Sequence, residues 1–270
     1  MNYKISKRTL RATVFFVLLS IHLMVPSNVT TSMAAKNGPA RLLASVSMPA
    51  PVVDTLKPSI SKLELPAKDV VLLAADSIYS NLGLARKGLS RQAFQFAWKG
   101  YKNLLSKGKI RRDDVLSICD FSQSSKRRRL YIIDVEAQKL LMHTFVAHGR
   151  NSGSEFARNF SNRPESHQSS LGFYVTRSTY YGEHGLSLKI DGLERGINDK
   201  ALARHIVVHG SDYVGKEFLK SNKMTGRSYG CPAVPQELAP KIIETIKQGS
   251  CLFIYHPSKK YLNSSKILNV

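Results

Sequence analysis

The chain is poor in the residues that build metal centres, crosslinks and membrane spans. Only three cysteines occur in 270 residues, and an odd count leaves at least one thiol without an intramolecular partner. No C-x-x-C pair is present, so zinc-ribbon and dithiol redox spacings are absent, and neither a metal nor an organic cofactor is expected. The uncharged apolar run Ala12–Val25 covers 14 residues, short of the roughly 20 that a membrane helix needs. Acidic residues are scarce as well: 19 Asp and Glu stand against 40 Lys and Arg, a formal charge of +21. Such a surface favours polyanions, either nucleic acid or the anionic polymers and lipid head groups of a cell envelope.

What is present begins with a leader. Lys4, Lys7, Arg8 and Arg11 precede the apolar run, and the small residues of "TSMAAK" follow it. That order is the n-region, h-region and cleavage site of a secretory signal, with cleavage after Ala34 or Ala35. The protein is therefore expected to be exported to the periplasm or cell envelope, with residues 1–34 as signal peptide and no stable membrane span after cleavage. An uncleaved anchor is the alternative. Export makes envelope polymers better partners than nucleic acid, for which no binding motif is visible. A composition of 43% hydrophobic and 22% charged residues fits a folded soluble domain.

Residues 35–66, rich in Pro, Ser and Ala, read as a linker or extended arm. Two helical patterns fill residues 67–110. In the second, Ser90 is placed to cap, and Ala93, Phe94, Ala97, Trp98, Tyr101, Leu104 and Leu105 form one apolar face. Its aromatic stripe is expected to pack on the next domain. From residue 111 to 257 the period changes to that of strands: "DVLSICDF", "RLYIIDVE", "KLLMHTFVA", "LGFYVTR", "LSLKIDG", "HIVVHG" and "SCLFIYH". A single helix is expected among them, in "PQELAPKIIETIKQG", with Pro235 or Pro240 near its start and Gly249 past its end. The fold class is thus mainly β, a sandwich or barrel with one helix late in the chain and a small helical segment before it. The basic run "SKRRRL" is expected to be a solvated loop, and residues 258–270 a loose tail.

The cysteines differ in their surroundings. Cys119 and Cys251 sit in apolar strand patterns and read as core residues, the alternative being a disulfide between them. Cys231 lies instead in "GRSYGCPAV". Proline forces the residue before it into extended backbone, and Gly230 frees the chain to bend. A helix expected soon afterwards would favour a thiolate through its dipole. A nucleophile also needs a base. Three His-Gly pairs are candidates: His148-Gly149, His184-Gly185 and His209-Gly210. The 184 pair reads as a turn and the other two as strand ends, so the choice stays open at this point, with a weak preference for His209.

"HIVVHGSDYVGKEFLKSNKMTGRSYGCPAV" resembles the His-Gly … Ser-x-Gly-Cys signature of the L,D-transpeptidase catalytic domain family, in the murein L,D-transpeptidase subgroup whose active-site turn ends in "GCPAV". "RLYIIDVEAQKLLMHTFVAHGRNSG" is similar to that family's opening hairpin, "QSSLGFYV" to its Thr-Pro-x-Gly-x-Phe segment, and "GSCLFIY" to its closing strand. The resemblance implies an L,D-transpeptidase-like fold and an exported cysteine acyltransferase acting on peptidoglycan stem peptides. It implies Cys231 as nucleophile and His209 as base, with the Gly210 carbonyl orienting the imidazole. Backbone amides of Tyr229, Gly230 and Cys231 would form the oxyanion hole, and Arg227 and Ser228 would contact substrate. Two positions depart from the family: Tyr229 stands where many members carry His, and Ala233 where many carry Arg or Asn. An L,D-carboxypeptidase using the same site, or a non-catalytic wall-binding module, are the alternatives.

Overall fold

A computed structural model describes residues 67–269. The leader and the Pro-rich arm fall outside the described residues. Among those described, no helix is long and apolar enough to cross a membrane.

Eight strands form one sheet: β1 (Val115–Asp120), β2 (Leu130–Asp134), β3 (Lys139–Thr144), β4 (Gly172–Gly182), β5 (Gly185–Gly192), β6 (Val207–Ser211), β7 (Ala233–Pro235) and β8 (Cys251–Tyr255). Their order across the sheet is β3-β2-β1-β8-β4-β5-β6-β7. Pairing is antiparallel except at β1–β8 and β6–β7. An isolated bridge from Ala147, just past β3, to Ala233 in β7 draws the two edges towards each other. The sheet therefore curls into a nearly closed barrel, which leaves little free edge for other chains.

The helical segment covers one side of this sheet. It contains α1 (Ala67–Asn81), α2 (Leu84–Lys87) and α3 (Arg91–Ser106). Ser90 caps α3 by accepting the Ala93 amide at 3.1 Å, a contact worth about 1 kcal/mol. Phe94, Trp98 and Tyr101 are buried along the face expected from their spacing, each contributing on the order of 1.5–3 kcal/mol. Phe96 reaches Tyr255 of β8, with ring centroids 6.2 Å apart. Gly100 marks the closest approach: a Cβ there would lie 1.9 Å from the Phe173 ring of β4. Residues 67–110 and the sheet share one hydrophobic core.

Several expectations are corrected. Besides α5 (Ala239–Ile246), two short helices appear: α4 (Lys216–Ser221) and α6 (Lys259–Ser264). The tail is docked rather than loose. Glu194, buried behind β5, accepts from the Tyr261 hydroxyl at 2.9 Å and from the Ser265 hydroxyl, and Leu268 is buried beyond them. Arg129, the last cation of "SKRRRL", is fully buried rather than solvated. Its guanidinium donates to the carbonyls of Val146 and Gln123 and lies 4.8 Å over the Phe121 ring. Cys119 and Cys251 are both buried and both free, so no disulfide joins them.

Candidate active site

Cys231 stands on the turn entering β7, and its backbone explains the local sequence. Gly230 has φ 125°, a conformation open to glycine, and an added Cβ would meet the Gln168 carbonyl oxygen at 2.9 Å. The Ser228 hydroxyl accepts the Gly230 amide at 3.1 Å and donates to the Cys231 carbonyl at 2.6 Å. Ser169, in the "QSSLGFYV" segment, accepts the Gly149 amide at 3.0 Å and donates to the Gly230 carbonyl at 3.1 Å. These contacts hold the turn stiffly. Ser228, expected to contact substrate, is buried and braces the turn through these bonds. The Tyr229 amide donates to no acceptor among the described residues, the Cys231 amide faces its own sulfur, and the Gly230 amide is engaged by Ser228.

The sulfur rests on the start of β6. The Val207 amide donates to Cys231 Sγ at 3.4 Å, and the thiol points to the His205 carbonyl at 3.7 Å. His205 has φ 55°, a rare conformation for a non-glycine residue, and it aims that carbonyl at the thiol. Burial pushes the Cys231 thiol up from its ordinary value, while the Val207 N–H and the Arg204 guanidinium pull it down. Strand β7 and a 3-10 turn at Gln236–Leu238 separate Cys231 from α5. The helix dipole expected beside the thiol is therefore replaced by a main-chain N–H and an arginine.

His209 lies two residues beyond Val207 on the same strand and so on the same face. It is 1% exposed, and its register partner is Ala233, two residues past Cys231. Its Nδ1–H donates to the Gly210 carbonyl at 2.9 Å, which leaves Nε2 as the acceptor nitrogen. Burial lowers its pKa, the Gly210 carbonyl acts the other way, and His184 lowers it further. The imidazole is thus neutral at neutral pH, the state a general base needs. Among the described residues His209 and Cys231 share no direct hydrogen bond. Gly210 is needed for packing, since a Cβ there would meet the Gln236 side chain at 2.5 Å and Ala239 Cβ at 2.9 Å.

The competing histidines separate cleanly. His148 is fully buried, its Nδ1 takes a 2.7 Å hydrogen bond from Arg129, and burial lowers its pKa to about 3. That ring is a core acceptor and has no free nitrogen for a thiol. His184 is exposed at the tip of the β4–β5 hairpin, as its turn-like sequence suggests, yet its ring stacks on His209 with centroids 4.3 Å apart. Their 25-residue separation in sequence hides that contact.

Other neighbours escape sequence reasoning as well. Arg204 donates to the carbonyls of Ser161 and Gln168 and to the Ser170 and Ser166 hydroxyls. It stitches the 161–170 loop behind the turn and places beside the sulfur a cation that has no ion pair among the described residues. His167, at φ 52°, packs on the Tyr229 ring at 4.4 Å, and Arg150 lies 5.8 Å over that ring. Arg227 donates to the Arg150 and Gly153 carbonyls at 3.2 and 3.1 Å. His205 and His209 have H-x-x-x-H spacing, which brings two imidazoles together on a helix. Here one residue precedes a strand and the other lies within it, and the described residues hold no group of three or more metal-ligating side chains.

A buried imidazole, in register with a residue two positions past a cysteine on a glycine-supported turn, thus sits within a curled mainly β sheet. The family model of the L,D-transpeptidase catalytic domain matches residues 85–255, and the chain belongs to that family. Among curated proteins, none matches. Solved structures that are similar include an L,D-transpeptidase from Mycobacterium smegmatis, at 10% identity, TM-score 0.33, and coverage of 53% of this chain and 59% of that one. The helical cell shape determining protein Pgp2 from Campylobacter jejuni is similar at 14% identity and TM-score 0.36, covering 63% and 61%. Bd1075 from Bdellovibrio bacteriovorus is similar at 14% identity and TM-score 0.34, covering 58% and 53%. The chain spans less than two thirds of the length of these relatives.

Proposed function

We propose that the protein is an exported cysteine L,D-transpeptidase that acts on peptidoglycan stem peptides in the cell envelope. The observation that carries this reading is the seat of the Cys231 sulfur on the Val207 N–H, two residues before a buried His209 whose Nδ1 is fixed by the Gly210 carbonyl. Family membership over residues 85–255 supports it.

In this mechanism His209 Nε2 takes the Cys231 proton, through a rotated thiol or one bridging water. The thiolate attacks the carbonyl of the third stem residue. The oxyanion that develops is held by the Tyr229 and Cys231 amides, with the Gly230 amide joining once Ser228 releases it. The amide C–N bond breaks, the imidazolium protonates the departing D-Ala nitrogen, and a Cys231 thioester remains. An amine of a second stem then attacks the thioester, gives its proton to His209, and releases the thiolate. Water as acceptor would give an L,D-carboxypeptidase with the same residues.

The thioester is the testable intermediate. Intact-mass measurement during incubation with a tetrapeptide donor should show an adduct equal to the donor minus D-Ala, on Cys231 and absent in Cys231→Ala. A folded protein with no adduct under single-turnover conditions would refute covalent catalysis by this residue.

A further inference from the structure

Beside the nucleophile turn lies a groove of about 390 Å³, lined by residues of the α4–Gly226 segment together with Arg150, Arg227 and Tyr229. Tyr229 is a wall of this groove and stands two residues before Cys231 in the chain. Extended peptide advances about 3.3 Å per residue. A substrate whose carbonyl reaches the sulfur therefore places groups one or two residues away within range of the groove.

The charge of the lining is one-sided. Arg150, Lys223 and Arg227 contribute three cations, no Asp or Glu takes part, and none of the three is in an ion pair among the described residues. Arg227 is turned into place by the Arg150 and Gly153 carbonyls, and Arg150 by the Tyr229 ring. Neutral partners such as these orient a guanidinium without cancelling its charge. The Arg150 amide also donates to the Ser228 carbonyl at 2.7 Å, and Ser228 pairs back to His148 at 3.1 Å. The cationic wall and the Cys231 turn thus move as one body.

A second, independent feature points to a ligand. Thr225 lines the same groove, is 1% exposed, and its hydroxyl has no hydrogen-bond partner. A buried hydroxyl left unpaired is costly, and such groups are found paired in nearly all folded proteins. Three cations without an ion pair among the described residues, with Thr225 in the same lining, favour an oxyanion that brings acceptor oxygens and negative charge together.

We propose that this groove binds free carboxylates of the stem peptide whose carbonyl Cys231 attacks, and so selects carboxylate-bearing stems over amidated ones. The assignment rests on the stem-peptide reading above. It makes Lys223, Arg150 and Thr225 specificity determinants, alongside the Arg227 expected from sequence. Inorganic phosphate offers the same charge, so a generic anion site is the competing source of any binding.

Binding to the full-length Cys231→Ala protein is measured by calorimetry, with a tetrapeptide stem bearing free carboxylates and with its amidated analogue. The free acid should bind about three- to tenfold more tightly than the amide, and Lys223→Gln should remove most of that difference. Thr225→Val should weaken the free acid selectively while leaving Tm unchanged or raised, because it deletes an unpaired hydroxyl. Equal binding of acid and amide, full displacement by millimolar phosphate alone, or unaltered preference in folded Lys223→Gln would overturn the assignment. Wild-type turnover of muropeptides, run in parallel, separates the two readings. Turnover without carboxylate preference rejects the groove alone, and carboxylate preference without turnover rejects the enzyme reading alone.

Discussion

The exposed ring of His184 lies flat on the buried ring of His209, with centroids 4.3 Å apart and planes 20° from parallel. A hairpin tip thereby roofs the imidazole that the proposed mechanism uses. Charge on His184 disfavours charge on His209, and burial acts in the same direction. His184→Ala removes one of these two effects, so the His209 pKa should rise toward its ordinary value. The acid limb of kcat/KM should then move to higher pH, with little change at neutral pH, where the imidazole stays mostly neutral. A pH–rate profile of the variant checks this, and an unmoved acid limb would show that the stack does not tune the base.

Cys231 should be alkylated well before the other two thiols. It is half-buried, with an N–H and a guanidinium favouring its thiolate, whereas Cys119 and Cys251 are fully buried. Burial pushes the Cys119 thiol up to about 12 and the Cys251 thiol higher still. Because burial also raises the Cys231 thiol, its labelling rate should keep climbing from pH 7 through pH 9. Peptide mapping after iodoacetamide treatment of the folded protein measures both effects. Equal, slow labelling of all three thiols, or a plateau near pH 6, would rule out this electrostatic description.

Gly230→Ala should disable the site while leaving the fold. The residue would be held at φ 125°, with its Cβ 2.9 Å from the Gln168 carbonyl oxygen. Relief of that strain displaces the Tyr229 and Cys231 amides proposed as oxyanion donors, and loss of one such donor costs on the order of 10²–10³ in kcat. Steady-state kinetics beside a thermal melt checks it.

Gly100→Leu should act on stability instead. Even a Cβ at this position lies 1.9 Å from the Phe173 ring, so the helix must move away from the sheet. Overpacking of this kind costs about 1–3 kcal/mol or more, visible as a lowered Tm or urea midpoint.

Glu194→Gln tests the docked tail. Burial raises the Glu194 pKa above its ordinary 4.5, its three hydrogen bonds acting the other way. The folded protein therefore holds this proton more tightly than the unfolded chain. The stability that accompanies the bound proton is present below pH 4.5 and is lost as pH rises through the folded pKa. Glutamine stays neutral, keeps an acceptor for the Phe173 amide and the Tyr261 hydroxyl, and can donate to Ser265. The variant should match wild type near pH 4 and melt a few degrees higher at pH 7, about 2–4 °C per kcal/mol. A lower Tm at pH 7 would mean that the charged carboxylate is the better partner.

Most strands were legible because the barrel buries alternate or continuous apolar runs, as in "LYIID" and "CLFIY". The cap at Ser90 and the apolar face of α3 were equally readable, being local patterns. Cys231 stood out because Gly and Pro constrain the backbone on either side of it. Other features resist a linear reading. Strand β7 is three residues long, too short to show a period. Arg129 resembles its solvated neighbours, and only the fold supplies the carbonyls that let it be buried. The tail lacks an apolar period because Glu194, 67 residues before Tyr261, holds it by hydrogen bonds. At the site, the decisive groups on the sulfur are the main-chain Val207 N–H and His205 carbonyl. Backbone atoms carry no residue-specific signal.

The most direct test of the enzyme reading is mass analysis of tetrapeptide muropeptides incubated with the mature protein, beside a Cys231→Ala control. Loss of D-Ala with crosslinked products, absent in the control, is the expected result; hydrolysed products in their place would make the enzyme a carboxypeptidase. Muropeptides unchanged by a demonstrably folded wild-type protein would contradict the assignment of Cys231 and His209 to this chemistry.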